Sequence, residues 1–232
     1  MKTSRMIGAT AAAALLAVAA GGPVDGADRA DRAEPSARVN GADAVARSDG
    51  EGQRLRAEGR FAPPDGTGAP RAVTYDRRLV PEGARIAVEQ RVDGAGTRVA
   101  VAVRGLLPGH TYGVHVHTAP CGADPDDAGP HYQHRPDPVR PSTDPAYANP
   151  GNEIWLDLTA GPGGDGRAAT LHPWNFRTGE ARSVVLHEHA TRTAPGEAGM
   201  AGGRVGCFTV PLLGDGGDGG GHGSGGGEGA GS

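Results

Sequence analysis

Between residues 84 and 210, apolar and polar side chains alternate with a period of two, in short runs interrupted by Gly, Pro and Asp. Successive side chains of a strand point to opposite faces, so this period marks β-strands with one buried face. The pattern predicts strands over residues 84–91, 97–104, 111–118, 153–159, 168–172, 181–188 and 203–210. Two glycine-rich links, Asp93-Gly94-Ala95-Gly96 and Gly163-Gly164-Asp165-Gly166, read as hairpin turns, because glycine takes positive φ at no steric cost. Helical periodicity is scarce. An all-β sandwich or barrel follows, and residues 69–212 have a length that suits one domain.

Outside that region the alternation fades. Residues 21–68 are dominated by Ala, Gly, Arg, Asp and Glu, and are expected to form a flexible leader. A short helix over residues 44–57 would bury only alanines, Val45 and Leu55, too little apolar area to offset the entropy of ordering it. Residues 213–232 are nearly all glycine and are expected to be a disordered tail. Residues 1–20 read as an export signal, with Lys2 and Arg5 ahead of an apolar run and the small residues Ala17-Val18-Ala19-Ala20. That run is shorter than the roughly 20 apolar residues of a bilayer span. Cleavage is expected, leaving no transmembrane segment and a protein secreted or held in the cell envelope.

Charge and cysteine content narrow the chemistry. The formal net charge is −4, and Lys2 is the only lysine. Arg71, Arg77, Arg78 and Arg104 are interspersed with acids and form no basic run, so no nucleic-acid partner is indicated. Cys121 and Cys207 both lie in the exported part, where an oxidising compartment favours a disulfide over free thiols.

The residues that carry chemistry are histidines. In Gly113-Val114-His115-Val116-His117, strand alternation sends both imidazoles to one face and both valines to the other. Two imidazoles aimed at one point make half a metal site, although a pair of solvated histidines has the same spacing. His187 and His189 repeat it at the end of an apolar strand, and spacing alone leaves open which of them ligates. Residues 119–151 form a long proline-rich stretch with few apolar side chains, and a loop of that length needs a reason. It contains Cys121, His131 behind Gly129-Pro130, and His134, so a disulfide and a metal ligand would order it. Trp155 and Trp174 read as core or rim aromatics, His110 as a turn residue, His172 as a strand end and His222 as part of the tail.

Several short motifs occur together and in a telling order: Val103-Arg104-Gly105-Leu106-Leu107-Pro108-Gly109, the His115 and His117 strand, Cys121, and Gly129-Pro130-His131. Val184-Val185-Leu186-His187-Glu188 and Gly203-Arg204-Val205-Gly206-Cys207 complete the series. Over residues 84–210 the chain thereby resembles the copper/zinc superoxide dismutase family. The resemblance implies a Greek-key β-sandwich or barrel of about eight antiparallel strands with long loops and an outer-face metal. It implies His115, His117, His131 and His187 as copper ligands, with His131 at the position that bridges copper and zinc in the family. His131 would then also act catalytically, releasing the metal on reduction and accepting a proton. Cu(II) prefers a tetragonal nitrogen set, which four imidazoles supply. Arg204, three residues before Cys207, takes the place of the arginine that guides the anion. The implied substrate is superoxide, converted to dioxygen and hydrogen peroxide, with His189 left at the surface.

Two departures qualify that picture. The loop running through His134-Arg135-Pro136-Asp137 to Tyr147-Ala148-Asn149-Pro150 offers one histidine, off the family spacing, and no His-x-Gly-Asp pattern follows. Copper without zinc is therefore expected, with Asp137, Asp144, Glu153 or Asp157 as a hydrogen-bonding substitute that holds His131. Residues 190–201 are shorter than the loop that shapes the field in the family, which implies weaker steering. A dismutase-like copper-binding protein of little or no activity is the alternative, and an interaction protein with vestigial histidines is a third class.

Overall fold

A computed structural model describes residues 37–38, 44–49, 52–65 and 69–215. The export signal, the first part of the leader and residues 216–232 lie outside the described residues. The strands are β1 (Ala37–Arg38), β2 (Ala44–Asp49), β3 (Gly52–Arg60), β4 (Ala72–Thr74), β5 (Arg85–Asp93) and β6 (Gly96–Arg104). They continue with β7 (Thr111–His117), β8 (Leu158–Thr159), β9 (Gly166–His172), β10 (Ser183–His187) and β11 (Arg204–Thr209). One 3-10 turn, Pro125–Ala128, sits in the long loop after β7, capped by the Asp124 side chain.

Period-two alternation becomes two antiparallel sheets. One runs β1-β2-β3-β5-β6-β9 and the other β4-β11-β10-β7-β8. The chain leaves β6 for β7 and β8 in the second sheet, then returns to pair β9 with β6, the over-and-back connection of a Greek key. Ile86, Val88, Val99, Val101 and Val103 from the first sheet share one core with Val114, Val116, Val184, Leu186 and Phe208 from the second. Each such side chain contributes about 1.5–3 kcal/mol when fully buried. With Val114 and Val116 in that core, alternation turns His115 and His117 to the outer face of the second sheet. Among the described residues no helix is long and apolar enough to cross a membrane.

Two expectations are corrected. The leader does not extend to residue 68: β3 pairs with β5 from Gln53↔Val92 to Arg60↔Arg85, and β2 with β3, in strands where a short helix over 44–57 was the alternative. Arg54, Arg56, Glu58 and Arg60 alternate with Leu55, Ala57 and Gly59, but the inward set is too small-sided to read as apolar. The small residues are required there. A Cβ on Gly59 would lie 2.6 Å from the Phe208 ring, and Phe61 just beyond is fully buried. At the other end, the Leu213 backbone exchanges two hydrogen bonds with the buried Gln90 amide, and Gly214 bridges to Phe176, so residues 213–215 belong to the domain and not to the tail.

Within the domain the boundaries shift modestly. The expected strand at 153–159 shortens to β8, with Glu153 and Trp155 as isolated bridges to Gln133 and His115. β4, three residues long, was too short to show a period. The Asp93–Gly96 link is a two-residue hairpin turn, with Asp93 paired to Gly96.

Candidate metal centre

β7 and β10 lie side by side, with His187 opposite Gly113 and Val185 opposite His115. Along the other edge of β7, the backbone of Tyr132 donates to Val116 and that of Thr118 donates to Pro130, which brings His131 opposite His117. Three separate segments thus place four imidazoles on one outer face. One nitrogen from each of His115, His117, His131 and His187 lies within 4.8 Å of all the others.

The hydrogen bonds of the remaining nitrogens assign each tautomer. Nδ1 of His117 lies 2.8 Å from the Gly129 carbonyl, which can only accept, so this nitrogen carries the proton. Nδ1 of His187 faces the Gly202 carbonyl at 3.4 Å, and Nδ1 of His131 faces a Glu153 carboxylate oxygen at 2.8 Å. His115 is reversed. Its Nε2 lies 2.7 Å from Thr191 Oγ1, whose single proton is donated to Asp157 at 2.7 Å, so Nε2 of His115 donates to the hydroxyl and Nδ1 is bare. That Nδ1 is a buried atom with no hydrogen-bond partner.

The second nitrogens of the four rings therefore converge, and two of them, Nε2 of His117 and Nε2 of His187, are 3.3 Å apart. Lone pairs at that distance repel unless a cation lies among them. Three of the rings are held neutral as well: His115 and His117 titrate well below the usual histidine range and His187 is pushed down to about 3. Burial is the main cause in each case, and His131 adds to it. The donor set, its protonation and the orphaned Nδ1 fit a metal ion, and imidazole suits Zn, Cu, Fe and Ni. No other such cluster occurs among the described residues.

Arg204 lies across the strand pair from His187, where a register shift separates Leu186 and His187. Its guanidinium donates to the carbonyls of Pro125 and Gly129 at 2.8 Å each and approaches Asp126 at 3.6 Å. The Gly129 carbonyl thus accepts from both His117 and Arg204. Gly129 sits at φ 70°, the left-handed region open to glycine. The Cys121–Cys207 disulfide, with a Cα–Cα distance of 5.7 Å, ties this same loop to β11 three residues beyond Arg204.

Among the carboxylates considered for holding His131, Glu153 is the one in contact. It is buried, takes the Trp155 indole N–H and the His131 proton on one oxygen, and takes the Gln133 amide on the other. Asp157 instead holds His115 through Thr191, Asp137 accepts from Val139 and Ser142, and Asp144 caps the turn at Ala146. His134 stacks on Trp174 and His189 lies at the surface beside Glu188; neither joins the four. Trp155 is nearer the centre than a rim aromatic, 6.1 Å from the His115 ring.

Thr191 and Trp155 had no sequence signal as site residues. The hint available for the loop was Gly113, where a Cβ would lie 2.7 Å from both the Ala201 Cβ and the His189 carbonyl. Only a glycine lets residues 189–201 pass over β7 and deliver Thr191 to His115.

No family model and no curated protein matches the chain. Among solved structures, a SOD-like protein from Bacillus subtilis, in a form carrying one substitution, is 19% identical, covering 62% of this chain and 99% of that one with a TM-score of 0.45. A double mutant of a SOD-like protein from the same organism is 19% identical over 53% of this chain and 87% of its own, with a TM-score of 0.42. A Cu/Zn superoxide dismutase from Brucella abortus is 20% identical, covering 55% of this chain and 88% of its own, with a TM-score of 0.41.

Proposed function

We propose that this protein is an exported copper-dependent superoxide dismutase, converting two superoxide anions and two protons into dioxygen and hydrogen peroxide. The observation that carries the reading is the convergence of four imidazole nitrogens, one of them the orphaned Nδ1 of His115, beside the anchored guanidinium of Arg204. Bound copper would supply the one-electron couple, oxidising one superoxide and reducing the next.

The protein's own groups would do the rest. Arg204 carries a permanent charge that draws in and orients a small anion, and its two carbonyl contacts hold it in place. His131 is the most accessible of the four, with its side chain 19% exposed against 1% for His115. Its Nδ1 proton is committed to Glu153, which leaves Nε2 as the atom that takes up a proton and passes it to peroxide. Glu153 substitutes for a second metal in orienting His131, so copper is proposed without zinc. The disulfide accords with an oxidising location, secreted or in the cell envelope.

The test is to load the purified chain with copper, count copper and zinc per chain, and assay superoxide decay. Dismutation above the free-copper background with copper alone is expected; a loaded protein no faster than free copper would end the reading. The second reading, a copper buffer or carrier, is favoured by the double carbonyl anchoring of Arg204 and its neighbour Asp126, which spend part of its charge.

A further inference from the structure

The outer face of the first sheet, away from the metal centre, carries a charge pattern that the folding of the sheet does not require. Register places Arg60, Arg85 and Arg104 directly opposite one another across β3, β5 and β6. Like charges in that relation destabilise a sheet. None of the three forms an ion pair among the described residues. Arg167, two rows along, and Arg98, at the far end of β6, are likewise exposed and unpaired among the described residues. Arg56 is different, because Glu58 and Glu89 take its charge.

Along β6 and toward β9 the floor between these arginines is mostly alanine, while the ion-paired Arg56, Glu58 and Glu89 stand on its β3 and β5 side. Ala87 pairs with Ala102, and Ala100 with Ala169, at positions where a half-buried strand would ordinarily carry larger β-branched residues. The result is a groove of about 1000 Å³, lined by six arginines against the three carboxylates Glu58, Glu89 and Asp165. This local excess of positive charge stands in a chain of net charge −4. From Arg104 to Arg98 the groove extends about 20 Å along β6 at about 3.3 Å per residue. A single small anion cannot reach both ends.

We infer that this groove binds a linear polysaccharide bearing repeated anionic groups, and that it attaches the protein to such a polymer while leaving the metal face open. Guanidinium forks match sulfate, phosphate and carboxylate groups in bidentate fashion, and the methyl floor lets a sugar backbone approach closely. No aromatic side chain lines the groove, so the base stacking that single-stranded nucleic acids require is missing. Its floor is alanine, and the exposed apolar Leu171, opposite Arg98, stands alone beside its end, too little apolar surface to enter a membrane interface.

The test is binding of the full chain to heparin, as a sulfated polysaccharide probe, by titration calorimetry at low and moderate salt, with neutral dextran as control. The triple variant Arg60→Gln, Arg85→Gln, Arg104→Gln is compared with a variant of equal net charge, Arg77→Gln, Arg140→Gln, Arg182→Gln, altered outside the groove. The expected result is salt-sensitive heparin binding that the groove variant weakens roughly tenfold or more, and that the matched variant largely keeps. Removing opposed like charges should not harm folding, and unchanged thermal unfolding and copper content check that. Absence of heparin binding at low salt, equal loss in both variants, equal binding of dextran, or tighter binding to DNA or to phosphatidylglycerol vesicles would each overturn it.

Discussion

Glu153 holds His131 through a 2.8 Å hydrogen bond from Nδ1 to a carboxylate whose side chain is only 2% exposed. Every group facing that carboxylate is a donor: His131 and Trp155 on one oxygen, Gln133 on the other. An amide in its place must turn an NH2 toward at least one donor. Glu153→Gln is therefore expected to lower copper affinity by about 10–100-fold and to slow turnover, read by chelator competition and by superoxide decay. Unchanged affinity would show that His131 needs no partner.

Replacing Arg204 separates guidance from metal binding. Arg204→Gln should leave copper content unchanged and lower the second-order rate by at least about tenfold, with a weaker dependence on ionic strength. A variant as fast as the parent at low salt would remove Arg204 from the mechanism.

Thr191 sets the tautomer of His115. Thr191→Val takes away the acceptor of a buried N–H, at a cost of about 1–3 kcal/mol, and frees the ring to carry its proton on Nδ1, the atom aimed at the other three. Copper affinity should fall, while Thr191→Ser should restore it; thermal melts and metal titrations read both.

The disulfide ties the loop that anchors Arg204 to the strand that bears it. The Cys121→Ser, Cys207→Ser double variant is expected to lose about 2–5 kcal/mol of stability in denaturant titrations. Its catalytic loss should exceed its metal loss, since Pro125 and Gly129 lie on the loosened segment.

Alkaline pH should weaken the fold through buried phenols. Burial, reinforced by Asp127, pushes Tyr75 up from 10.0 to about 12, and burial also raises Tyr112 and Tyr132. Unfolded tyrosine ionises near 10.0, so the unfolded state releases protons first as pH rises. Their contribution is complete below that value and declines as pH climbs toward 12. Phenolate absorbance should show Tyr75 titrating late in the native protein, and a Tyr75→Phe variant should lose stability less steeply over the same window.

The strands carrying valines and isoleucines were legible because a half-buried strand writes its burial directly as a period of two. Thr97–Arg104 and Thr111–His117 show this, with Val99, Val101, Val103, Val114 and Val116 all facing the core. β3 was not legible, because Ala57 and Gly59 face inward where Phe208 leaves no room for more. The arginines of the outer groove were equally hidden. They lie far apart in sequence, and only strand register sets Arg60, Arg85 and Arg104 in one row.

Residue types and their local spacing were enough to point to an all-β domain, to the side-by-side imidazoles of His115 and His117, and to Cys121 and Cys207 as partners. Tertiary structure alone decided which carboxylate reaches His131, that Thr191 and Asp157 set the His115 proton, and that the Gly129 carbonyl serves His117 and Arg204 together. The physical reason is range. Alternation along a strand is a property of neighbours in the chain, whereas a hydrogen bond of 2.8 Å between residues 22 or 75 positions apart exists only after the sheets have closed.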